Sequence, residues 1–212
     1  MQILSKYELF VFDWDHTLTT STFVVTLLNL LKEKRQKRSI GTRREVQASE
    51  SAIRNVKVEE KIGRLYSTFD DAYGILFKPK LKRNADLVLE LLKRHRKKVA
   101  IFSDSKNYRL LKETGALRVL RYVDFALSAE AIGYYKPNPT GLLVLLDRFR
   151  IAKSKCLYIG DMATDVLTAK LAGVDSCAVA DGIGSFETLS AAGPNYLFTK
   201  MEAFLQALKG RR

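Results

Sequence analysis

The feature that most constrains the fold of this chain is a short apolar segment that ends in two carboxylates. Residues 7–12, Tyr-Glu-Leu-Phe-Val-Phe, have the composition of a buried strand, and Asp13 and Asp15 follow it directly. Asp is disfavoured inside strands, so an acidic pair at this point needs a compensating partner. Open α/β sheets keep their active sites where strands end in loops. The pattern therefore predicts a strand end that carries chemistry, with a divalent cation as the natural partner of the carboxylates.

The rest of the chain divides into two parts that differ in their pattern of apolar residues. From residue 82 onward, short apolar strands (99–102, 123–126, 156–159 and 176–179) alternate with helical segments, two of which lie at 84–96 and 106–113. Such alternation is typical of parallel βαβ units, so the predicted fold class is α/β, a Rossmann-like parallel sheet. Residues 21–78 lack the strand pattern and place apolar residues at helical spacing. We therefore expect a core of residues 1–18 and 81–212, with an inserted all-helical cap at residues 19–80.

Polar residues follow several of these strands. If the strands are parallel, their carboxyl ends share one edge of the sheet and the side chains there could converge. Four carboxylates in one cleft would repel each other unless a hard cation such as Mg²⁺ binds between them. A hydroxyl and an ammonium beside that ion would form a cradle for a phosphoryl group. The residues concerned are Asp13, Asp15, Ser103, Lys136, Asp161 and Asp165.

These residues stand in an order that resembles the haloacid dehalogenase-like hydrolase superfamily, whose members are mostly Mg²⁺-dependent phosphatases. Its four motifs appear as Asp-Trp-Asp-His-Thr at 13–17, Ser103, Lys-Pro-Asn-Pro at 136–139 and Gly-Asp-Met-Ala-Thr-Asp at 160–165. The resemblance is greatest to phosphoglycolate phosphatase-like and β-phosphoglucomutase-like enzymes, which carry a helical cap at this place. It implies a phosphatase that hydrolyses a small phosphomonoester.

The resemblance also implies a role for each motif residue. Asp13 would attack phosphorus to form an aspartyl-phosphate, and Asp15 would serve as general acid and then as general base. The implied phosphate-binding residues are Ser103, Asp104 and Lys136. The implied Mg²⁺ ligands are Asp13, Asp15 through its backbone carbonyl, Asp161 and Asp165.

Two positions depart from the family pattern. His16 stands where Gly is usual, and Asp104 follows Ser103 where Asn is common. His16 either tolerates the backbone geometry of the loop or tunes the site with pH, and the structural reading is favoured. Neither departure removes a catalytic group.

Two other functions stay open at this point. A phosphosugar mutase could use the same core, because transfer and hydrolysis differ mainly in whether water or a sugar hydroxyl reaches the phospho-enzyme. The net charge of +13 and the basic patch from Lys32 to Arg44 could instead serve nucleic-acid binding on a degenerate phosphatase core. Residues 19–80 carry 13 Lys or Arg against 7 Asp or Glu, which also suits an anionic substrate. The intact motifs favour a small phosphorylated metabolite over nucleic acid as the partner.

Bulk properties complete these expectations. A hydrophobic content of 47% and a charged content of 28% are those of a folded protein. Cys156 and Cys177 are expected to be buried small hydrophobes rather than a disulfide pair. No apolar run has the length of a membrane span, and the first residues lack a signal-peptide layout. A cytoplasmic location and a monomeric or homodimeric state are therefore expected.

Overall fold

The computed structural model describes residues 2–20 and 79–210. The predicted cap, apart from its first and last two residues, and the Lys32 to Arg44 patch lie outside the described residues. The helices are α1 (Gln2–Lys6), α2 (Ala85–Arg94), α3 (Asn107–Ala116), α4 (Ala129–Ile132), α5 (Thr140–Phe149), α6 (Ala163–Ala172), α7 (Phe186–Ala192) and α8 (Met201–Leu208). The strands are β1 (Leu9–Phe12), β2 (Thr19–Thr20), β3 (Lys80–Leu81), β4 (Lys98–Ser103), β5 (Phe125–Ser128), β6 (Cys156–Gly160), β7 (Asp175–Val179) and β8 (Tyr196–Phe198).

Six strands form one parallel sheet in the order β5-β4-β1-β6-β7-β8. The central strand β1 is fully buried, and its Val11 is level with Ala100 of β4 and Tyr158 of β6. A strand with neighbours on both edges and helices on both faces has no polar side, which explains the unbroken apolar run in the sequence. The predicted Rossmann-like α/β fold is confirmed.

The two faces of the sheet bury alternate residues of β1. Phe10 and Phe12 enter one apolar cluster with residues of α2 and α8, whereas Leu9 and Val11 enter a second cluster with residues of α5 and α6. This alternation follows from the two-residue period of a strand. Packing on both faces leaves the carboxyl edge of the sheet as the place where polar side chains can gather.

A short antiparallel ribbon marks the predicted boundary between core and cap. Strand β2 pairs with β3, with Thr19 opposite Leu81, so the two ends of the predicted insertion lie side by side. Directly after β3, the backbone amide of Lys82 donates to the carbonyl of Leu18 at 2.9 Å. The Lys82 ammonium binds the Asp181 carboxylate at 2.6 Å and also contacts the backbone carbonyl of His16. Lys82, directly after β3, is therefore hydrogen-bonded to the loop that follows β1.

Three sequence-based boundaries differ from the structure. The strand expected at 123–126 is β5, Phe125–Ser128, which begins two residues later; just before it, Asp124 exchanges hydrogen bonds with the backbone of Val99. Helix α3 continues through Gly115 to Ala116, since Gly115 has no tight neighbour or positive φ that would end it. The sheet does not close with β7, because β8 adds a sixth strand.

Cys156 and Cys177 are free and buried, as expected, on the neighbouring strands β6 and β7. Among the described residues, no helix is both long and apolar enough to cross a membrane.

Candidate active site

Asp13 occupies the first position after β1. Its backbone amide donates to the carbonyl of Ile159 at 2.8 Å, so the sheet ladder fixes its main chain. Its side chain is 7% exposed. One oxygen accepts a hydrogen bond from Lys136 Nζ at 2.6 Å, and the Thr17 hydroxyl, which shares its single proton with Asp161, lies 3.2 Å from the other. The carboxylate is thus held in one orientation at the carboxyl edge of the sheet.

Three of the predicted carboxylates form one buried cluster. Asp13, Asp161 and Asp165 each offer an oxygen atom, and these atoms all lie within 4.8 Å of one another. Asp161 follows β6 and accepts hydrogen bonds from Thr17 Oγ1 at 2.9 Å and from the amide of Ile183 at 2.7 Å. Parallel strand order has therefore gathered residues that the sequence separates by about 150 positions.

Asp165 lies in the first turn of α6 and is held from three sides. Its oxygens accept hydrogen bonds from the amide of Met162 at 3.0 Å, from the Tyr158 hydroxyl at 3.1 Å and from Lys136 Nζ at 2.8 Å. The amide contact satisfies an orphan donor at the start of the helix. Asp165 therefore serves both as a helix cap and as a member of the carboxylate cluster.

Lys136 provides the positive charge of the site. Its ammonium lies between Asp13 and Asp165, and its side chain is 7% exposed. Burial lowers the pKa of Lys136, but the carboxylates of Asp13 and Asp165 outweigh burial and raise it well above its ordinary value. The Asp104 carboxylate accepts the backbone amide of Lys136 at 3.0 Å, which anchors the loop that carries the lysine. The direct phosphate contact predicted for Asp104 stays a prediction.

Three carboxylates and one ammonium leave an excess of negative charge in this buried site. Burial raises the pKa of Asp161 to about 7, and the neighbouring charge of Asp165 adds to the effect. Burial also raises the pKa of Asp13 well above its ordinary value, although Lys136 opposes this. Buried carboxylate oxygens with raised pKa values are stabilised by a hard divalent cation. The donor set of Asp13, Asp161 and Asp165 therefore fits Mg²⁺.

A glycine-containing loop, residues 181–184, presses on Asp161 and was missed by the sequence analysis. A Cβ atom on Gly182 would lie 2.0 Å from Asp161 Oδ2, so only glycine allows the backbone this close. Gly160 has the same relation to Asp165, whose Oδ2 would lie 2.3 Å from an added Cβ. The sequence signal that could have indicated this loop is the pair of glycines at 182 and 184, soon after the predicted strand 176–179.

Asp15 is not part of the carboxylate cluster and lies among donors that the sequence did not indicate. Its side chain accepts a hydrogen bond from Ser105 Oγ at 2.6 Å and pairs with Arg109. Burial raises the pKa of Asp15, but Arg109 and Ser105 outweigh burial and leave the pKa below its ordinary value. Ser103 Oγ donates to Ser105 Oγ at 3.0 Å, so this group adjoins the predicted phosphate-binding hydroxyl.

His16 stands at a position whose backbone conformation favours glycine. Its φ is 61°, in the left-handed region that glycine adopts without steric cost. The ring is buried, its Nε2 has no hydrogen-bond partner among the described residues, and burial lowers its pKa to about 4. A ring that is neutral across the neutral pH range supports the structural reading of this residue over pH tuning.

The structure is a parallel α/β sheet with buried aspartates and a lysine at its carboxyl edge. It therefore belongs to the class of α/β proteins that carry an acidic site at this edge. A family model described as haloacid dehalogenase-like hydrolase matches residues 10–179. The chain belongs to this family.

Three comparisons illustrate the similarity. The chain is 26% identical over 147 residues to a protein of Caldanaerobacter subterraneus provisionally named pyrophosphatase PpaX, covering 69% of this chain and 66% of that protein. It is 28% identical over 93 residues to phosphoglycolate phosphatase of Escherichia coli, covering 44% of this chain and 37% of the enzyme. The alignments thus span less than two thirds of these relatives. A haloacid dehalogenase-like hydrolase structure from Streptococcus pneumoniae superposes with a TM-score of 0.67 at 17% identity, covering 98% of this chain and 99% of that one.

Proposed function

We propose that this protein is a Mg²⁺-dependent phosphatase that hydrolyses a small phosphomonoester through an aspartyl-phosphate on Asp13. The observation that carries the proposal is the Lys136 ammonium, 2.6 Å from Asp13 and 2.8 Å from Asp165, in a buried cluster that also holds Asp161. This arrangement supports the proposal, because the proposed nucleophile, phosphate-binding cation and metal ligands lie within one small site.

Asp13 is the nucleophile in this proposal. Its carboxylate attacks phosphorus, which forms an oxygen–phosphorus bond and divides the hydrolysis into two easier displacements. Thr17 and Lys136 fix the attacking group, and the Lys136 charge offsets the negative charge that an arriving phosphoryl group brings. Ser103, at the end of the adjacent strand β4, would bind a phosphoryl oxygen.

Asp15 is the proposed general acid and base. It gives a proton to the departing oxygen in the first step and takes a proton from the attacking water in the second. Its position two residues after the nucleophile keeps it near the reacting atoms without joining the carboxylate cluster.

The proposed metal ligands are Asp13, Asp161, Asp165 and the backbone carbonyl of Asp15. When bound, Mg²⁺ would supply positive charge that offsets the charge of the phosphoryl oxygens and so would make phosphorus easier to attack. Thr17 and the amide of Ile183 orient Asp161 for this role, as outer hydrogen bonds do in metal sites.

The proposed domain organisation is a core of residues 1–18 and 81–212 with a helical cap at residues 19–80. The β2–β3 ribbon supports it, because both ends of the insertion leave the core at one point. Closure of such a cap would exclude water from the site, and its basic excess would favour an anionic substrate. The similar proteins named above carry the names of a pyrophosphatase and of a phosphoglycolate phosphatase, which supports a small phosphorylated substrate.

The test is phosphate release from a panel of small phosphomonoesters, with Mg²⁺ and with a chelator. Wild-type turnover should require Mg²⁺, and Asp13→Asn should abolish it because an amide is not a nucleophile for phosphorus. Asp147→Asn, at an exposed position of α5, is the matched control and should leave turnover unchanged. Wild-type rates in Asp13→Asn would show that the nucleophile is wrong. Formation of an isomeric sugar phosphate in place of inorganic phosphate would instead identify a mutase.

A further inference from the structure

A series of buried polar contacts links Asp15 to helix α3. One oxygen of Asp15 accepts a hydrogen bond from Ser105 Oγ at 2.6 Å, and the other contacts Nη2 of Arg109. The side chains of Asp15 and Arg109 are only 15% and 12% exposed. Because donors engage both oxygens of Asp15, the orientation of this carboxylate is set by its neighbours.

Arg109 is itself held in place. Its Nε donates to Glu113 Oε1 at 2.9 Å, one helical turn further along, and its Nη1 donates to Ser105 Oγ at 3.3 Å. The other oxygen of Glu113 accepts a hydrogen bond from the fully buried indole of Trp14 at 2.7 Å. Trp14 immediately precedes Asp15 in the sequence. The contacts therefore form a closed circuit that begins and ends on the loop after β1.

The chemistry of the circuit requires a guanidinium. Arg109 contacts two carboxylates and one hydroxyl through three different nitrogen atoms, a spread that its planar fork of donors permits and the single nitrogen of an ammonium does not. Without this cation, the Asp15 and Glu113 carboxylates would face each other in a site that is nearly closed to water. Burial and the Asp15 charge raise the pKa of Glu113 even in the presence of Arg109. Loss of Arg109 would thus release Asp15 from its present orientation.

We propose that Arg109 is a positioning residue that orients the Asp15 carboxylate for proton transfer, with Glu113 and Trp14 fixing the guanidinium. This inference rests on the function proposed above for Asp15. The first step starts from protonated Asp15, its proton taken from solvent: an oxygen of Asp13 bonds to phosphorus, the bond from phosphorus to the leaving oxygen breaks, and that oxygen receives the Asp15 proton. Asp15 is then the ionised carboxylate whose contacts are described above. In the second step, water attacks phosphorus, the Asp13–phosphorus bond breaks, and Asp15 takes a proton from the water. Arg109 gives and takes no proton in these steps.

The test compares two substrates of similar shape whose leaving groups differ in their need for a proton. Phenol is a much weaker acid than p-nitrophenol, so phenyl phosphate depends more on protonation of the leaving oxygen than p-nitrophenyl phosphate does. We expect Arg109→Met to lower kcat/KM for phenyl phosphate about 100-fold, and for p-nitrophenyl phosphate by less than about tenfold. Arg109→Lys should show a smaller loss with the same preference, because an ammonium keeps one of the contacts. Arg94→Met, which removes an exposed arginine paired with Glu90, should change neither value.

A double-mutant cycle with Asp15→Asn shows whether Arg109 acts through Asp15. If it does, Arg109→Met should change kcat/KM by less than about twofold in the Asp15→Asn background. Additive losses, or equal losses for both substrates in the single variant, would overturn the inference. Should Arg109→Met fail to fold, Arg109→Lys carries the same comparison and must show the same substrate-selective loss.

The same data separate this inference from the proposed function. Wild-type rates in Asp13→Asn or Asp15→Asn would refute the proposed function itself. Full dependence on Asp13 and Asp15, together with an Arg109 effect that is independent of Asp15, would overturn only the positioning role.

Discussion

Gly182→Ala is expected to damage the candidate active site without removing any polar group from it. The added Cβ would lie 2.0 Å from Asp161 Oδ2, whereas ordinary van der Waals contact begins at 3.4 Å. The loop cannot simply move away, because the amide of Ile183 donates to that same oxygen at 2.7 Å. Either the carboxylate moves by about an ångström or the loop loses a buried hydrogen bond.

The expected cost follows from this overlap. Overpacking of this kind costs about 1–3 kcal/mol of stability, which for a protein of this size lowers Tm by about 2–4 °C per kcal/mol. Displacement of a site residue by about 1 Å can cost about 100-fold in rate. We therefore expect a lower Tm together with a loss of kcat/KM, measured by thermal unfolding and by phosphate release in Mg²⁺.

Gly115→Ala is the matched control for this prediction. Gly115 lies inside α3 with no atom within 4 Å of an added Cβ, so alanine should stabilise the protein by about 0.5–1 kcal/mol and leave turnover unchanged. If Gly182→Ala keeps the wild-type Tm and kcat/KM, the contact between this loop and Asp161 does not shape the site.

Three further outcomes are expected. Mg²⁺ should raise the Tm of the wild type, and the rise should grow with the Mg²⁺ concentration in a thermal-shift titration. The rise should be smaller for Asp161→Asn, and equal rises in both proteins would contradict the proposed ligand set. Lys82→Met should lower the free energy of unfolding by about 1–2 kcal/mol in urea titrations, because the Asp181 carboxylate and two backbone carbonyls lose their donor, and an unchanged value would mean that the ribbon is not anchored there. Burial raises the pKa of Asp124, but the Val99 amide and Lys93 outweigh it and lower the pKa, so the folded state binds fewer protons than the unfolded chain. The advantage of wild type over Asp124→Asn, about 0.5 kcal/mol after solvent screening, should therefore hold at neutral pH and shrink below about pH 4; an advantage that grows on acidification would contradict this sign.

Much of the fold could be predicted from sequence because two independent signals agreed. The apolar run before Asp13 indicated a strand buried on both faces, and the alternation after residue 82 indicated parallel connections. Together these signals place the carboxyl ends of the strands at one edge, which is why Asp13, Asp161 and Asp165 could be expected to meet. Strand β8 was not predicted because it is only three residues long and half-buried. It lies at the edge of the sheet, where a strand needs little apolar character.

The supporting contacts could not be predicted in the same way. Asp15 and Arg109 are far apart in sequence, and nothing in the composition of α3 distinguishes an arginine that points into the site from one that points to water. The Arg109–Glu113 spacing of four residues occurs equally in exposed pairs such as Glu90 and Arg94, where the ion pair has little energetic weight.

What separates a buried pair from an exposed one is the surroundings that the fold supplies. The Arg109–Glu113 pair adjoins the loop after β1, where Trp14 donates to the other oxygen of Glu113 and Asp15 contacts Arg109 Nη2. A motif at a strand end indicates which groups react, because the chemistry of the reaction restricts their residue types. The groups that orient them are restricted by geometry, because their donors must reach the reactive carboxylate from an adjacent helix. Functional residues of this second kind are therefore found by following the hydrogen bonds outward from the reactive carboxylates.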